Sequence, residues 1–255
     1  MGGPYLRYVA LGDSQTEGVG DGDDLTGLRG WADRLAERLG GLDSGVLYAN
    51  LAVRGRLAGQ VRAEQVAPAL ALRPDLVTVV AGVNDVLRPR FDADEVGAEL
   101  EAMFAAFTGA GACVATVTLP DMGRLVPLAR PLAGRVLALN SRVREAASRH
   151  GVVVTEAEAY AEALTDPRLW SPDRLQRIAA AFAHALGLPG SDDSWTRPLP
   201  PPAVPVPAGR RAAAAEARWA AAFLGPWLGR RLKGRSSGEG RVAKRPQFAP
   251  AAARP

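Results

Sequence analysis

Five short apolar runs rich in β-branched residues, Tyr5–Leu11, Gly45–Asn50, Leu76–Ala81, Ala112–Thr118 and Val152–Thr155, alternate with longer amphipathic segments through the first 189 residues. This alternation constrains the fold more than any other feature, because a parallel strand needs a crossover helix before its neighbour, and repeated β-α units of this length satisfy that need. Helices are expected at about 28–39, 57–71, 93–109, 129–149 and 175–186. The fourth is the best marked, since Leu132, Val136, Leu139, Val143 and Ala147 recur at three- and four-residue steps and form one apolar stripe. The expected body is an α/β domain over residues 1–189 with a five-stranded parallel sheet between helical layers.

From Gly190 the composition changes. Leu199-Pro200-Pro201-Pro202-Ala203-Val204-Pro205-Val206-Pro207 cannot enter a helix or a central strand, so 190–209 reads as a proline-rich linker. Residues 210–255 read as a basic extension, a short helix at 210–224 able to dock Trp219, Phe223 and Trp227, then disorder beyond about Arg235. Charge follows the same division: residues 1–189 carry a net −4 and residues 190–255 a net +8. Arg230-Arg231-Leu232-Lys233-Gly234-Arg235 and Lys244-Arg245 offer contact to nucleic acid or an anionic surface, but without interleaved aromatics a solvated cationic tail is the preferred reading.

No apolar run approaches the ~20 residues of a membrane span, and the N-terminus lacks a basic stretch followed by an apolar one, so a cytoplasmic location is expected. The single cysteine, Cys113, excludes an internal disulfide and reads as a buried strand thiol. Asp21, Asp23 and Asp24 lack the spacing of a calcium loop and read as a solvated acidic turn.

Three polar clusters fall at three successive strand ends. Gly12-Asp13-Ser14 follows the first run, Asn50 to Gly55 closes the second, and Gly82-Val83-Asn84-Asp85 closes the third. Open parallel sheets bind ligands at their carboxyl edge, where a serine between flexible backbone positions can act as a nucleophile. The Ser14 N–H, a Gly55 N–H and the Asn84 amide are donors of the kind that stabilise an oxyanion. Each cluster taken alone is also an ordinary turn or cap.

These blocks resemble the SGNH or GDSL hydrolases. The resemblance covers residues 5–189 and implies a flavodoxin-like three-layer α/β/α sandwich, Ser14 as nucleophile, and an oxyanion hole of Ser14, Gly55 and Asn84. Asp13 and Asp85, nearby carboxylates, are read as supporting groups that orient the backbone and cap helices, with service as weak bases the lesser alternative. The resemblance implies esters of small acyl groups as substrates, no metal or organic cofactor, and a fourth block supplying an aspartate and a histidine three residues apart. The matching segment, Trp170-Ser171-Pro172-Asp173-Arg174-Leu175-Gln176, offers Asp173 as the orienting carboxylate but places Gln176 where the histidine belongs. A glutamine has no basic lone pair and cannot take the serine proton. Of the two histidines, His150 precedes the fifth strand, at the wrong edge of the sheet. His184 reaches Asp173 only if residues 176–183 are not helical. The expected activity is therefore an impaired serine esterase, with a ligand-binding pseudo-esterase as the alternative.

Overall fold

The computed structural model describes residues 5–25, 27–121, 127–156, 172–197 and 237–251, leaving aside the side chains of 127–128 and 172–174. The elements, in chain order, are β1 (Arg7–Gly12), α1 (Ser14–Glu17), β2 (Gly22–Asp23), β3 (Gly27–Leu28), α2 (Trp31–Leu42), β4 (Leu47–Asn50), α3 (Ala58–Ala71), β5 (Leu76–Val80), α4 (Val83–Val86), α5 (Ala93–Gly109), β6 (Cys113–Val117), α6 (Ala133–His150), β7 (Val153–Thr155), α7 (Pro172–Ala185) and β8 (Arg245–Pro250).

The main sheet has the order β7-β6-β5-β1-β4-β8. The first five of these strands pair in parallel, and β8 adds antiparallel to β4. The central strands are buried on both faces: all five residues of β5 and five of six in β1 are inaccessible. One face packs against α3, α5 and α6 through Val61, Phe104, Phe107, Leu139 and Val143. The other packs against α2 and α7, whose joint is the stacked pair Trp31 and Phe182, with ring centroids 4.6 Å apart. This is the three-layer α/β/α architecture expected from the alternating pattern. Because β1 lies between β4 and β5, the chain leaves it to one side and then crosses to the other, and the order reverses there. The carboxyl end of β1 is thus the point at which an open α/β sheet leaves a crevice.

The C-terminal segment departs from the sequence expectation. Residues 237–251, assigned to a disordered tail by composition, run along the free edge of β4, with Leu47 opposite Pro250, Tyr48 opposite Ala249 and Asn50 opposite Arg245. Gly238 packs so closely on the loop after β4 that a Cβ there would stand 2.1 Å from the Arg54 carbonyl oxygen. Arg241 pairs with Asp24 at 2.7 Å, and Arg245 lies over the Tyr48 ring at 5.3 Å. Lys244 donates to Asp33 Oδ2 at 2.5 Å and to the Leu28 carbonyl at 3.0 Å. Three of the tail's basic residues are thereby committed to the body of the protein rather than to an outside anion. The expected helix at 210–224 and most of the linker lie outside the described residues.

Lys244 is largely buried, and burial lowers its pKa despite the attraction of Asp33. Lys244→Met is expected to destabilise the fold by about 3 kcal/mol in urea unfolding, since it strands a buried carboxylate that keeps, among the described residues, the Gly30 N–H and the Tyr48 hydroxyl as donors. Cys113 is half-buried rather than sealed, and the Tyr5 hydroxyl donates to its sulfur at 3.4 Å. The acidic turn is neutralised within the chain, with Asp21 on Arg34 and Asp24 on Arg54 and Arg241. Among the described residues no helix is long and apolar enough to cross a membrane, and no group of three acidic, histidine or cysteine side chains is placed to hold a metal ion.

Candidate active site

Ser14 opens the four-residue helix α1 immediately beyond β1. Asp13 caps this helix, its Oδ1 accepting the Gln15 N–H at 3.3 Å. The turn depends on Gly12, whose φ is +152°. Gln65, reaching up from α3, grips both sides of that residue: its Oε1 accepts the Gly12 N–H and its Nε2 donates to the Gly12 carbonyl, each at 2.9 Å. The half-buried serine therefore rests on a backbone turn fixed from beneath.

The other two strand ends close on the same point. The Asn84 Nδ2, in the short helix α4 after β5, donates to Asp13 Oδ2 at 2.9 Å and to the Arg56 carbonyl at 3.1 Å. One amide thus ties the serine turn to the loop carrying Gly55, which adopts φ +79° next to Arg56. That loop is held further by Glu17, which accepts the Arg54 N–H at 2.7 Å and pairs with the Arg54 guanidinium at 2.8 Å. Asp85 Oδ2 accepts the Ala58 N–H at 3.1 Å and so anchors the start of α3 to α4. Ser14, Gly55 and Asn84 accordingly gather on one rim of the sheet, with Asp13 and Asp85 among the groups that fasten them.

Asp13 is 1% exposed. Burial pushes its carboxyl up from 3.8 to about 7; hydrogen bonds from the Gln15 N–H, Asn84 and the Ser14 side chain pull the other way, and the nearby Asp85 charge adds to the rise. It is a buried carboxyl group poised near neutrality at the serine turn.

The GDSL-like Lipase/Acylhydrolase family matches the chain over residues 10–184. The chain belongs to this family. Among solved structures, it is similar to an acetylxylan esterase from Geobacillus stearothermophilus, with 20% identity, 75% of this chain and 96% of that one covered, and a TM-score of 0.59. It is also similar to LAE5, an α/β hydrolase enzyme from the metagenome of Lake Arreo, Spain, with 21% identity, 71% and 95% covered, and a TM-score of 0.57. These likenesses concern the fold. No curated protein matches the chain.

The segment expected to form the fourth block is arranged differently from the other three. Asp173 and Gln176 both lie in the first turns of α7, and the side chain of Asp173 is outside the described residues. Gln176 is exposed and lines a cavity of about 380 Å³ with Arg38, Arg177, Ala180, Asp192 and Trp195, a separate place from the Ser14 rim. The helix continues unbroken to Ala185, so Asp173 and His184 stand ~16 Å apart along its axis. His184 is exposed, its ring 6.2 Å from Trp195. His150 ends α6 at the amino edge of the sheet, its Nε2 3.2 Å from Glu101 Oε1. These are the chain's two imidazoles, and neither belongs to the serine rim.

Sequence reasoning missed Gln65. A signal was present: Ala58, Val61, Gln65 and Ala69 are the buried positions of α3, and a lone polar residue on such a stripe calls for a polar partner. The Arg54–Glu17 clamp and the Gly238 contact carry no comparable local signature.

Proposed function

We propose that the chain is a serine hydrolase of carboxylic esters with small acyl groups, slowed by the lack of a histidine beside its nucleophile. Ser14 attacks the ester carbonyl, and the Ser14 N–H, the Gly55 N–H and the Asn84 amide receive the developing oxyanion. The bonding of Asn84 to both Asp13 and Arg56 carries this reading, because it draws three separate loops to one rim. In the acetylxylan esterase of G. stearothermophilus, catalytic mutants are described at a serine, an aspartate and a histidine. Here Asp173 matches the aspartate, and Gln176 takes the histidine's place in sequence.

Loss of the histidine from a serine hydrolase leaves roughly 10³- to 10⁴-fold acceleration over water, supplied by the oxyanion hole and by binding. The wild-type protein is expected to hydrolyse p-nitrophenyl acetate slowly, and Ser14→Ala to abolish that hydrolysis. Because Gln176 stands in a cavity apart from the Ser14 rim, Gln176→His in the same assay is expected to leave the rate unchanged, and a rise of 10²-fold or more would bring position 176 to the serine. Hydrolysis unchanged by Ser14→Ala would refute the assignment.

A second reading, a pseudo-esterase that binds acyl or acetylated-sugar ligands without turnover, draws support from Asn84. Both hydrogens of its amide are engaged, so an oxyanion must displace the Arg56 carbonyl to gain one. A fluorophosphonate separates the two readings, labelling Ser14 only if the hydroxyl can be activated.

A further inference from the structure

We propose that Gly238, in the C-terminal segment, is a positioning residue for the Gly55 N–H, fixing the direction of that donor from behind. The inference rests on the reading of Gly55 as an oxyanion donor and adds to that site a part from the far end of the chain.

Peptide geometry carries it first. The Arg54 carbonyl and the Gly55 N–H belong to one planar group, and the described chain holds no cis peptide bond. In a trans group the two bonds point in opposite directions, so whatever stops the carbonyl also sets where the N–H aims. Gly238 is that stop. It is buried, and a Cβ on it would stand 2.1 Å from the Arg54 carbonyl oxygen and 3.1 Å from Val53 Cγ1. Only a glycine permits so close an approach of two backbones.

The stop is itself braced. Arg241 pairs with Asp24 at 2.7 Å, and Asp24 in turn pairs with Arg54 at 2.8 Å, so the segment and the loop residue share one carboxylate. Arg56 Nη1 lies 3.5 Å from the Gly238 carbonyl oxygen. Further along, Lys244 is fastened to Asp33, and 245–250 pair with β4. The loop is tied from its other side to the serine helix. Glu17 accepts the Arg54 N–H at 2.7 Å. Asn50 accepts the Ala52 N–H at 3.0 Å and donates to the Thr16 carbonyl at 2.8 Å. Both flanks of the Arg54–Gly55 peptide are thus joined to α1, and Gly238 backs the carbonyl between them.

The test compares kcat and KM for p-nitrophenyl acetate in full-length wild type, Ser14→Ala, Gly238→Ala, Gly238→Val and Phe248→Ala, each corrected for its folded fraction from urea unfolding. Restoring an ordinary C···O separation of ~3.3 Å moves the peptide by about 1 Å, and a displacement of that size costs up to ~10²-fold in rate. Gly238→Ala is therefore expected to lower kcat at least about 10-fold, and Gly238→Val further, with KM within about twofold, the signature of a contact made in the transition state. Labelling of Ser14 by a fluorophosphonate, whose attack passes through a similar anionic centre, should slow in parallel. Phe248→Ala loosens the same segment where it packs on the core, and is expected to keep kcat per folded molecule within about twofold. Ser14-dependent hydrolysis with kcat unmoved in both Gly238 variants, or lowered equally by Phe248→Ala, overturns the role of Gly238 and spares that of Ser14; hydrolysis indifferent to Ser14→Ala, or absent in wild type along with labelling, overturns both.

Discussion

Gly12→Ala is expected to destabilise the protein by ~4 kcal/mol or more, a large part of the ~5–15 kcal/mol that holds a domain together. Two costs combine. A Cβ at this position would stand 2.3 Å from the Val80 carbonyl oxygen and 2.6 Å from the Thr16 hydroxyl, and the first of these is backbone in the middle of the sheet, which cannot step aside. The φ of +152° adds strain for any L side chain. Displacing the turn would also pull the Gly12 N–H and carbonyl away from Gln65. Urea unfolding of the variant checks the prediction, and Gln65→Ala provides a milder companion that removes the clamp without crowding the turn. A Gly12→Ala protein as stable as wild type would show that the turn relaxes, and that the serine is held less rigidly than its contacts indicate.

The second large effect concerns pH. Asp13 titrates near 3.8 when the chain is unfolded and at about 7 when it is folded. Between those values the native state holds a proton that the unfolded state has released. The contribution of this group is thus highest in acid and is lost as pH rises from about 4 to about 7, by about 4 kcal/mol in all. Other carboxylates act in the opposite sense: the Arg149 guanidinium holds Glu101 down at about 2, and Arg144 holds Glu156 below its usual range. The net curve of the wild type mixes these trends. The stability difference between wild type and Asp13→Asn isolates the one group, and it should fall with rising pH across that window. A difference flat from pH 4 to 7 would place the carboxyl in a more solvated setting than its 1% exposure implies.

Most of the fold was legible because its elements obey simple periods. The β5 run Leu76–Val80 is apolar throughout since both faces are covered, and α6 carries a three- and four-residue repeat since only one face is. The sixth strand was not legible. Arg245-Pro246-Gln247-Phe248-Ala249-Pro250 has two prolines and no alternation, and its pairing arises from contacts with residues about two hundred positions away. At the site, the three loop tips could be read from strand order, because each follows a strand end at the same edge. Asp13 was read as a supporting residue; its burial and its raised pKa follow from the closure of α4 and the Gly55 loop over it, a tertiary event without a local sequence mark. The fourth block illustrates the reverse case, a motif position read from spacing whose Gln176 faces a different cavity.

The terminal strand has a further consequence for the behaviour of the protein in solution. Strand β4 would otherwise present unpaired amides to any passing extended chain, the usual nucleus of sheet-to-sheet aggregation. β8 occupies that row and begins and ends with residues that discourage another addition: Pro246 and Pro250 lack amide hydrogens, and Arg245 brings charge. Proteolytic removal of the last twenty residues should therefore increase concentration-dependent self-association of the protein, even where its chemistry survives.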